Sequence, residues 1–290
     1  MANFLDDTRV EAEAGASGLF RASLSPEWAV WGPNGGYLAA IALRAAMACS
    51  RLPRPASFQC HFLATGEFAP VELRARSLGG GKRAESLRVE VLQQERTLIA
   101  ATVWMVDDGL EGFQHDFAVA PDAPRPAELR GYQELAGAQY AEWYPIWRSI
   151  EGRPLRWRAP PGKPEWRTWL RFTETPIPDR QADALRQLFW LDFPGWNAAI
   201  SAHAWPFRYL APNLDLTVQF HGFAPESEWI LADGVVPLAR DGLVGCTARL
   251  WSESGELLAS GSSEHVCRRN PRYEEELALA REQGLLPGDD

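Results

Sequence analysis

The sequence lacks the cysteine and histidine patterns of disulfide-stabilised or metal-binding proteins. None of its four cysteines forms a C-x-x-C pair, and a chain of 290 residues can bury a core without disulfides. Its five histidines show neither an H-x-x-x-H spacing nor a mixed Cys/His spacing. We therefore expect reduced thiols and no metal. These residues are Cys49, Cys60, Cys246 and Cys267, and His61, His115, His203, His221 and His265.

Positive charge is also scarce. With 29 Lys and Arg against 38 Asp and Glu, the net charge of −9 argues against a nucleic-acid-binding protein, although a local basic cluster can still bind an anion. The N-terminus has no secretory signal, and the longest apolar stretch, Tyr37–Cys49, is short and interrupted by Arg44. We expect a cytoplasmic protein without membrane insertion.

Two common catalytic motifs are absent as well. The segment GSSEH (residues 261–265) lacks the second glycine of a G-x-S-x-G nucleophile elbow. No Gly-rich loop for a dinucleotide or a phosphate is present, so we predict no cofactor. By contrast, tryptophan is abundant, with 13 copies, and it typically fills cores or apolar pockets.

The first 107 residues combine one helix with an antiparallel meander. Residues 18–24 alternate weakly and predict a short strand, and the Ala- and Leu-rich stretch 37–50 predicts a buried helix after the turn Pro33–Gly36. Four strand-like runs follow between residues 57 and 107, separated by Gly-rich or polar breaks. This order indicates an α+β unit.

Residues 108–165 differ from their surroundings. They hold eight of the 22 prolines, together with Trp143, Trp147 and Trp157. We interpret this segment as a connector with some helix over residues 127–142, too aromatic to be a flexible linker.

The first pattern then returns over residues 166–270. A strand (166–174) and a helix (179–193) precede four strand-like runs, and residues 214–266 repeat the order and spacing of residues 58–106. A repeat offset by about 160 residues indicates a duplicated domain, because solenoid repeats are about 20–50 residues long. The remaining residues, 271–290, are interpreted as a charged helix or tail.

The chain resembles the acyl-CoA thioesterase II family. In the first half, the resemblance is carried by GPNGGYLAAIALRAA (32–46) and by the strands from HFLATGEFAP (61–70) to ATVWMV (101–106). In the second half, it is carried by NLDLTVQFHGFAPESEWILAD (213–233) and GELLASGSSEHVCR (255–268). The resemblance implies a double hot-dog fold of the α+β class, with two antiparallel sheets each wrapped around a long central helix. It also implies hydrolysis of acyl-CoA thioesters between the two halves.

The family uses a water-activating Asp–Thr–Gln constellation, and the resemblance places its members on this chain. Asp192 occupies the Asp position at the end of the second helix. Asn213 stands at the Thr position and Ser263 at the Gln position, so both are substituted by other polar residues. We predict these three as catalytic residues, while the substitutions leave open a protein that binds acyl-CoA without hydrolysing it.

A second set of residues is predicted to bind the substrate. Asn34, Gly35 and Gly36 open the first helix, where glycines let a carbonyl approach free backbone N–H groups. A plain turn capped by Asn34 explains the same residues equally well. His61 begins a stretch that approximates the H-x-x-x-G-x-x-x-x-P signature of hot-dog dehydratases, with Gly66 one position late. A dehydratase or hydratase acting on acyl thioesters is therefore a further alternative, although a packed strand histidine is the simpler interpretation.

Phosphate groups of coenzyme A require cations at the rim of such a pocket. Lys82 and Arg83 in the first Gly-rich turn are candidates, as are Arg268 and Arg269, although solvated surface charge explains all four as well. Because hot-dog proteins commonly assemble further, we expect a homodimer or a larger homo-oligomer.

Overall fold

The computed structural model of the chain describes residues 2–158 and 160–282. These described residues form six α-helices: α1 (Phe4–Asp7), α2 (Gly35–Cys49), α3 (Tyr132–Ala136), α4 (Arg180–Leu191), α5 (Pro194–Ile200) and α6 (Tyr273–Glu282). Short 3₁₀ turns cover Pro26–Trp28, Pro126–Glu128, Gly137–Glu142 and Pro145–Arg148. None of the described helices is both long enough and apolar enough to cross a bilayer.

Fourteen strands are formed in the part of the chain that the structure describes. Those of the first half are β1 (Glu11–Ala12), β2 (Leu19–Ser23), β3 (Arg54–Phe62), β4 (Pro70–Gly80), β5 (Ala84–Gln93) and β6 (Arg96–Val106). The others are β7 (Ile150–Pro154), β8 (Glu165–Phe172), β9 (Tyr209–Leu210), β10 (Asp215–Phe220), β11 (Ile230–Arg240), β12 (Leu243–Ser252), β13 (Leu257–Val266) and β14 (Arg268–Arg269).

The strand order confirms the internal duplication. The first half runs β2-β4-β5-β6-β3 and the second runs β8-β11-β12-β13-β10, so each strand has a counterpart in the same place. Helix α2 packs on the sheet of the first half, and α4 packs on that of the second. The two helices also contact each other. The predicted α+β hot-dog class is confirmed by this arrangement of antiparallel strands around buried helices.

The expectation of two separate sheets is corrected by the pairing of β3 with β10. These strands meet antiparallel, with Asp215 opposite His61 and Gln219 opposite Ser57, and they join both halves into one 12-stranded sheet. The edge strand of an isolated half would expose unpaired N–H and C=O groups. Pairing the two inner edges satisfies these groups and fixes the register of one half against the other.

The predicted connector is part of the fold. Strand β7, which lies within residues 108–165, pairs with β8 and adds one edge strand to the sheet. The expected helix over 127–142 is instead divided among two 3₁₀ turns and α3. The Tyr132 ring packs against Trp143, Trp147 and Trp157, and its hydroxyl lies 3.2 Å from Oγ1 of Thr168 on β8. The hydrogen bond from this aromatic cluster to Thr168 thus attaches the segment to the second half of the chain.

The N-terminal residues pack between the two halves of the chain. Phe4, on the short helix α1, is fully buried and stacks on Phe172 with 4.7 Å between ring centroids. Its ring also contacts Trp28 and Phe189. The sequence predicts no element here, because a four-residue helix is too short for a periodic apolar pattern.

Candidate active site

The end of α4 meets the beginning of α2. Asp192 is the C-cap of α4, and Pro194 follows as the first residue of α5, where its missing N–H costs no helical hydrogen bond. A Cβ atom on Gly36 would lie 2.7 Å from the Phe189 carbonyl oxygen and 2.9 Å from Cβ of Asp192. Glycine is therefore required at this position, since any larger residue would separate the two helix ends.

The carboxylate of Asp192 lies between two asparagine amides. Nδ2 of Asn34 donates to Oδ2 over 2.9 Å, and Nδ2 of Asn213 donates to Oδ1 over 2.5 Å. The same Asn34 side chain accepts a hydrogen bond from the Tyr37 backbone N–H at 2.9 Å, which makes it the N-cap of α2. Asn34 therefore caps α2 and contacts Asp192 with one side chain, while its contact with a substrate stays a prediction. The two donors fix the orientation of the carboxylate.

Burial changes the proton affinity of this carboxyl group. It raises the pKa of Asp192 from the ordinary 3.8 to about 6, while hydrogen bonds from the Gly36 backbone N–H and the Asn34 side chain oppose the shift. The group is thus ionised at neutral pH, yet it is basic enough to take a proton. A general base works best with a pKa near the operating pH, and Asp192 approaches that condition.

Ser263 does not join this cluster of hydrogen bonds. Its side chain is buried on β13, and its hydroxyl lies 2.9 Å from Nε2 of His265 on the same strand. Nδ1 of His265 lies 3.1 Å from the Ala211 carbonyl oxygen. The structure therefore brings Asp192 and Asn213 together, and it pairs Ser263 with a histidine that the sequence analysis did not select. The signal was available, because residues two apart on a strand share one face.

His61 lies elsewhere. Its side chain is exposed on β3, whereas its neighbour Phe62 points to the other face, with its ring 3.1 Å from where a Cβ on Gly35 would be. Alternation along the strand puts consecutive side chains on opposite faces of the sheet. This register puts His61 and Phe62 on opposite faces, which corrects the expectation that His61 contacts a substrate beside Asp192. Because the side chain of His61 is exposed, its interpretation as a packed strand histidine is corrected as well.

Aromatic side chains border the Asn34–Asp192 contact. Trp31 comes three residues before Asn34 and Trp196 four residues after Asp192, and their rings pack edge to face at 5.6 Å. Phe207 packs against Trp196, and Nε1 of Trp31 donates to the hydroxyl of Tyr144 over 2.7 Å. Trp31 remains 41% exposed, so the cluster presents an apolar surface to solvent.

The predicted phosphate-binding residues fall at two distant places. Arg268 and Arg269 form β14, which pairs with β9 immediately before the segment that carries Asn213. Lys82 and Arg83 are exposed at the β4–β5 hairpin, near the C-terminal end of α2, where Arg51 bonds to the Gly81 carbonyl. That end lies about 20 Å from Asn34 along a helix of 15 residues. Within residues 2–158 and 160–282, no group of three or more His, Cys, Asp or Glu side chains could hold a metal ion.

Known proteins provide an independent comparison. Residues 24–106 match the family model of the acyl-CoA thioesterase N-terminal domain, and residues 117–265 match that of the C-terminal domain. A search of curated protein sequences found no significant match.

Solved structures give the same fold. A hot-dog-fold protein from Alicyclobacillus acidocaldarius has a TM-score of 0.79 at 21% identity over 92% of this chain and 98% of its own. A putative thioesterase II from Thermobifida fusca has 0.76 at 18% identity over 93% and 98% of the two chains. An acyl-CoA thioesterase II from Mycobacterium marinum has 0.75 at 20% identity over 93% and 100%. Since the two family models together span most of the sequence, the chain belongs to the acyl-CoA thioesterase family.

Proposed function

We propose that this protein hydrolyses the thioester of an acyl-CoA by a water molecule that Asp192 orients and deprotonates. The observation that carries the proposal is the carboxylate itself, fixed between Asn34 and Asn213 and with its pKa raised to about 6. Water attack on a thioester needs a base that is ionised near neutral pH and held within hydrogen-bonding reach of the water.

The beginning of α2 supplies the second requirement of the reaction. The first N–H groups of a helix have no partner within the helix, and they lie at the positive end of its dipole. Gly35 and Gly36 open α2 beside Asp192 without side chains that would block an approaching carbonyl. The Gly36 N–H already donates to Asp192, so a thioester oxygen bound there would receive its hydrogen bond from the Gly35 N–H as negative charge develops on it, and such a donor contributes about 3–4 kcal/mol to the transition state.

The reaction then follows from these positions. The water oxygen attacks the thioester carbon while its proton passes to Asp192. The tetrahedral intermediate collapses, the carbon–sulfur bond breaks, and the coenzyme A thiolate leaves and takes up the proton from Asp192, which is thereby regenerated as a carboxylate. Asn213 and Asn34 donate to the carboxylate throughout, and the Trp31–Trp196 surface accommodates the acyl group. The phosphates of coenzyme A would bind to Arg268 and Arg269 on β14, which pairs with β9 shortly before Asn213.

A thiol-release assay over a panel of acyl-CoA thioesters tests the proposal. We expect turnover of at least one acyl chain length and a loss of about 100-fold or more in kcat for Asp192→Asn. The matched control is Asp108→Asn, because Asp108 is an exposed carboxylate on the connector. Turnover that is equal in Asp192→Asn and wild type would contradict the role of Asp192.

One observation favours a second candidate, a protein that binds acyl-CoA without hydrolysing it. Ser263 occupies the position that the family resemblance assigns to a catalytic Gln, and it bonds to His265 instead of joining Asp192. This candidate predicts saturable binding of acyl-CoA, measured by calorimetry, with no thiol release from any member of the panel. The exposed position of His61 gives no such support to a dehydratase. Assembly into a homodimer or larger oligomer stays a prediction.

A further inference from the structure

The imidazole of His265 lies between the two chain segments that carry the site. On one side, a methyl group on Gly195 would overlap its Nε2 atom, so the ring packs directly on the backbone of α5, three residues after Asp192. On the other side, its Nδ1 atom bonds to the carbonyl of Ala211, two residues before Asn213. His265 is completely buried.

The hydrogen bonds define the protonation state of the ring. A carbonyl oxygen only accepts, so Nδ1 carries the proton and donates to Ala211 over 3.1 Å. Burial lowers the pKa of His265, with opposing contributions from the Ala211 hydrogen bond and from Asp215, and a neutral ring leaves Nε2 as an acceptor. The Ser263 hydroxyl therefore donates to Nε2 over 2.9 Å. Both ring nitrogens are satisfied without any solvent.

Hydrogen bonds between main-chain groups hold one side of the Ala211–Asn213 segment on β13. Leu214 donates to the Glu264 carbonyl over 2.7 Å, and Val266 donates to the Pro212 carbonyl over 3.1 Å, which forms a bridge between Asn213 and His265. These bonds attach the segment to β13, but they do not set its distance from α5. The imidazole fills that space.

We propose that His265 is a positioning residue: its Nδ1–H holds the Ala211 carbonyl while its ring packs on α5, and both contacts together keep the Asn213 amide on the Asp192 carboxylate. It does not touch the reacting atoms. It acts on Asp192 through Asn213. His265 stands two residues beyond Ser263 on β13, so both side chains lie on the same inward face. The inference rests on the proposed role of Asp192 only in its consequence for activity, because the contact itself is independent of turnover.

Two substitutions separate the parts of this role. His265→Asn keeps a short amide donor for the Ala211 carbonyl, while His265→Leu keeps a bulky apolar side chain and removes both hydrogen bonds. The Asn213 amide donates to Oδ1 of Asp192 over 2.5 Å, so loss of this donor would leave the carboxylate less stabilised and would raise its pKa. The other titratable groups nearby are Cys60 beside Asp192, and Asp215 and Cys246 around the His265–Ser263 pair. They are the same in every variant.

The test is a carbon-13 NMR titration of the Asp192 carboxyl, assigned by its disappearance in Asp192→Asn. We expect the pKa to rise by about one pH unit in His265→Leu and to stay near the wild-type value in His265→Asn. An unchanged pKa in a folded His265→Leu would overturn the inference, since a purely structural role would lower only the melting temperature.

A second variant keeps the test decisive if His265→Leu does not fold. Gly195→Ala displaces the ring from α5 and leaves all its polar groups in place, and we expect the same upward shift. A wild-type titration of Asp192 in Gly195→Ala would overturn the inference. Thiol release is measured on the same samples. Its absence in wild type would refute the proposed hydrolysis, while the NMR shift would still support the positioning role.

Discussion

The amide of Asn213 donates a 2.5 Å hydrogen bond to Oδ1 of Asp192 and thereby fixes the end of one helix to the segment that leads into a central strand. Asn34 donates to the other oxygen from the first half of the chain. The candidate site therefore exists only where the two halves of the duplicated fold meet. This explains why a carboxylate of the second half lies at the helix N-terminus of the first.

The pH dependence of hydrolysis follows from the proton affinity of Asp192. Because the base form is required and its pKa is raised to about 6, kcat/KM should increase about tenfold per pH unit below that value and level off above about pH 7. A pH profile measured from about pH 4.5 to about pH 8.5 checks this. A profile without an inflection between about pH 5 and pH 7 would contradict the assignment.

The same carboxyl group should affect stability in the opposite direction. Its folded-state pKa lies above the ordinary 3.8, so the folded protein binds this proton more tightly than the unfolded chain does. The stabilisation is present at low pH and is lost as pH rises toward about 6. We expect the free energy of unfolding of wild type relative to Asp192→Asn to fall by about 2 kcal/mol between about pH 4.5 and about pH 7.5. Urea unfolding at both pH values measures this difference, and a constant difference would argue against a buried, titrating Asp192.

The contact between the helix ends predicts a strong effect of a single methyl group. Gly36→Ala would place its Cβ 2.7 Å from the Phe189 carbonyl oxygen, a backbone atom that cannot move aside alone. We expect a loss of about 1–3 kcal/mol in the free energy of unfolding, together with reduced turnover, because α2 is pushed away from Asp192. Gly81→Ala is the matched control, since a Cβ there meets no atom within 4 Å. Equal effects of the two substitutions would show that the helix ends are not in close contact.

The two roles of Asn34 are separable. Asn34→Ser retains an N-cap for α2 but is too short to donate to Asp192, whereas Asn34→Ala removes both functions. Stability should fall by about 1 kcal/mol in the alanine variant and remain near wild type in the serine variant. Both should shift the acidic limb of kcat/KM to higher pH, because each removes a donor to the carboxylate. A serine variant with the wild-type pH profile would restrict Asn34 to capping.

Sequence patterns predict most elements of this fold, for identifiable reasons. Helix α2 follows from an Ala- and Leu-rich stretch behind Asn34 and two glycines, and the duplication follows from strand runs that recur in the same order. Asp192 is selected by the resemblance to the thioesterase II family, whose Asp lies at the end of the second helix. Each of these signals is local or repeats locally.

Other features depend on contacts distant in sequence. The pairing of β3 with β10 joins edges about 160 residues apart, and no local pattern specifies which strands meet. The face on which His61 lies depends on strand register, and a shift of one residue would reverse it. The partner of Ser263 depends on the same register. Helix α5 was missed because Pro194 suggests an end to the preceding helix as readily as the start of a new one.

A crystal structure with a non-hydrolysable acyl-CoA analogue tests the central claim most directly. We predict that the carbonyl carbon of the analogue, which stands at the thioester position, lies within one water molecule of the Asp192 carboxylate, about 4 Å away, with its oxygen toward the N–H group of Gly35. The acyl group would lie along Trp31 and Trp196. An analogue bound instead in the groove near Arg9 and Arg44, at the opposite end of α2, would contradict the account.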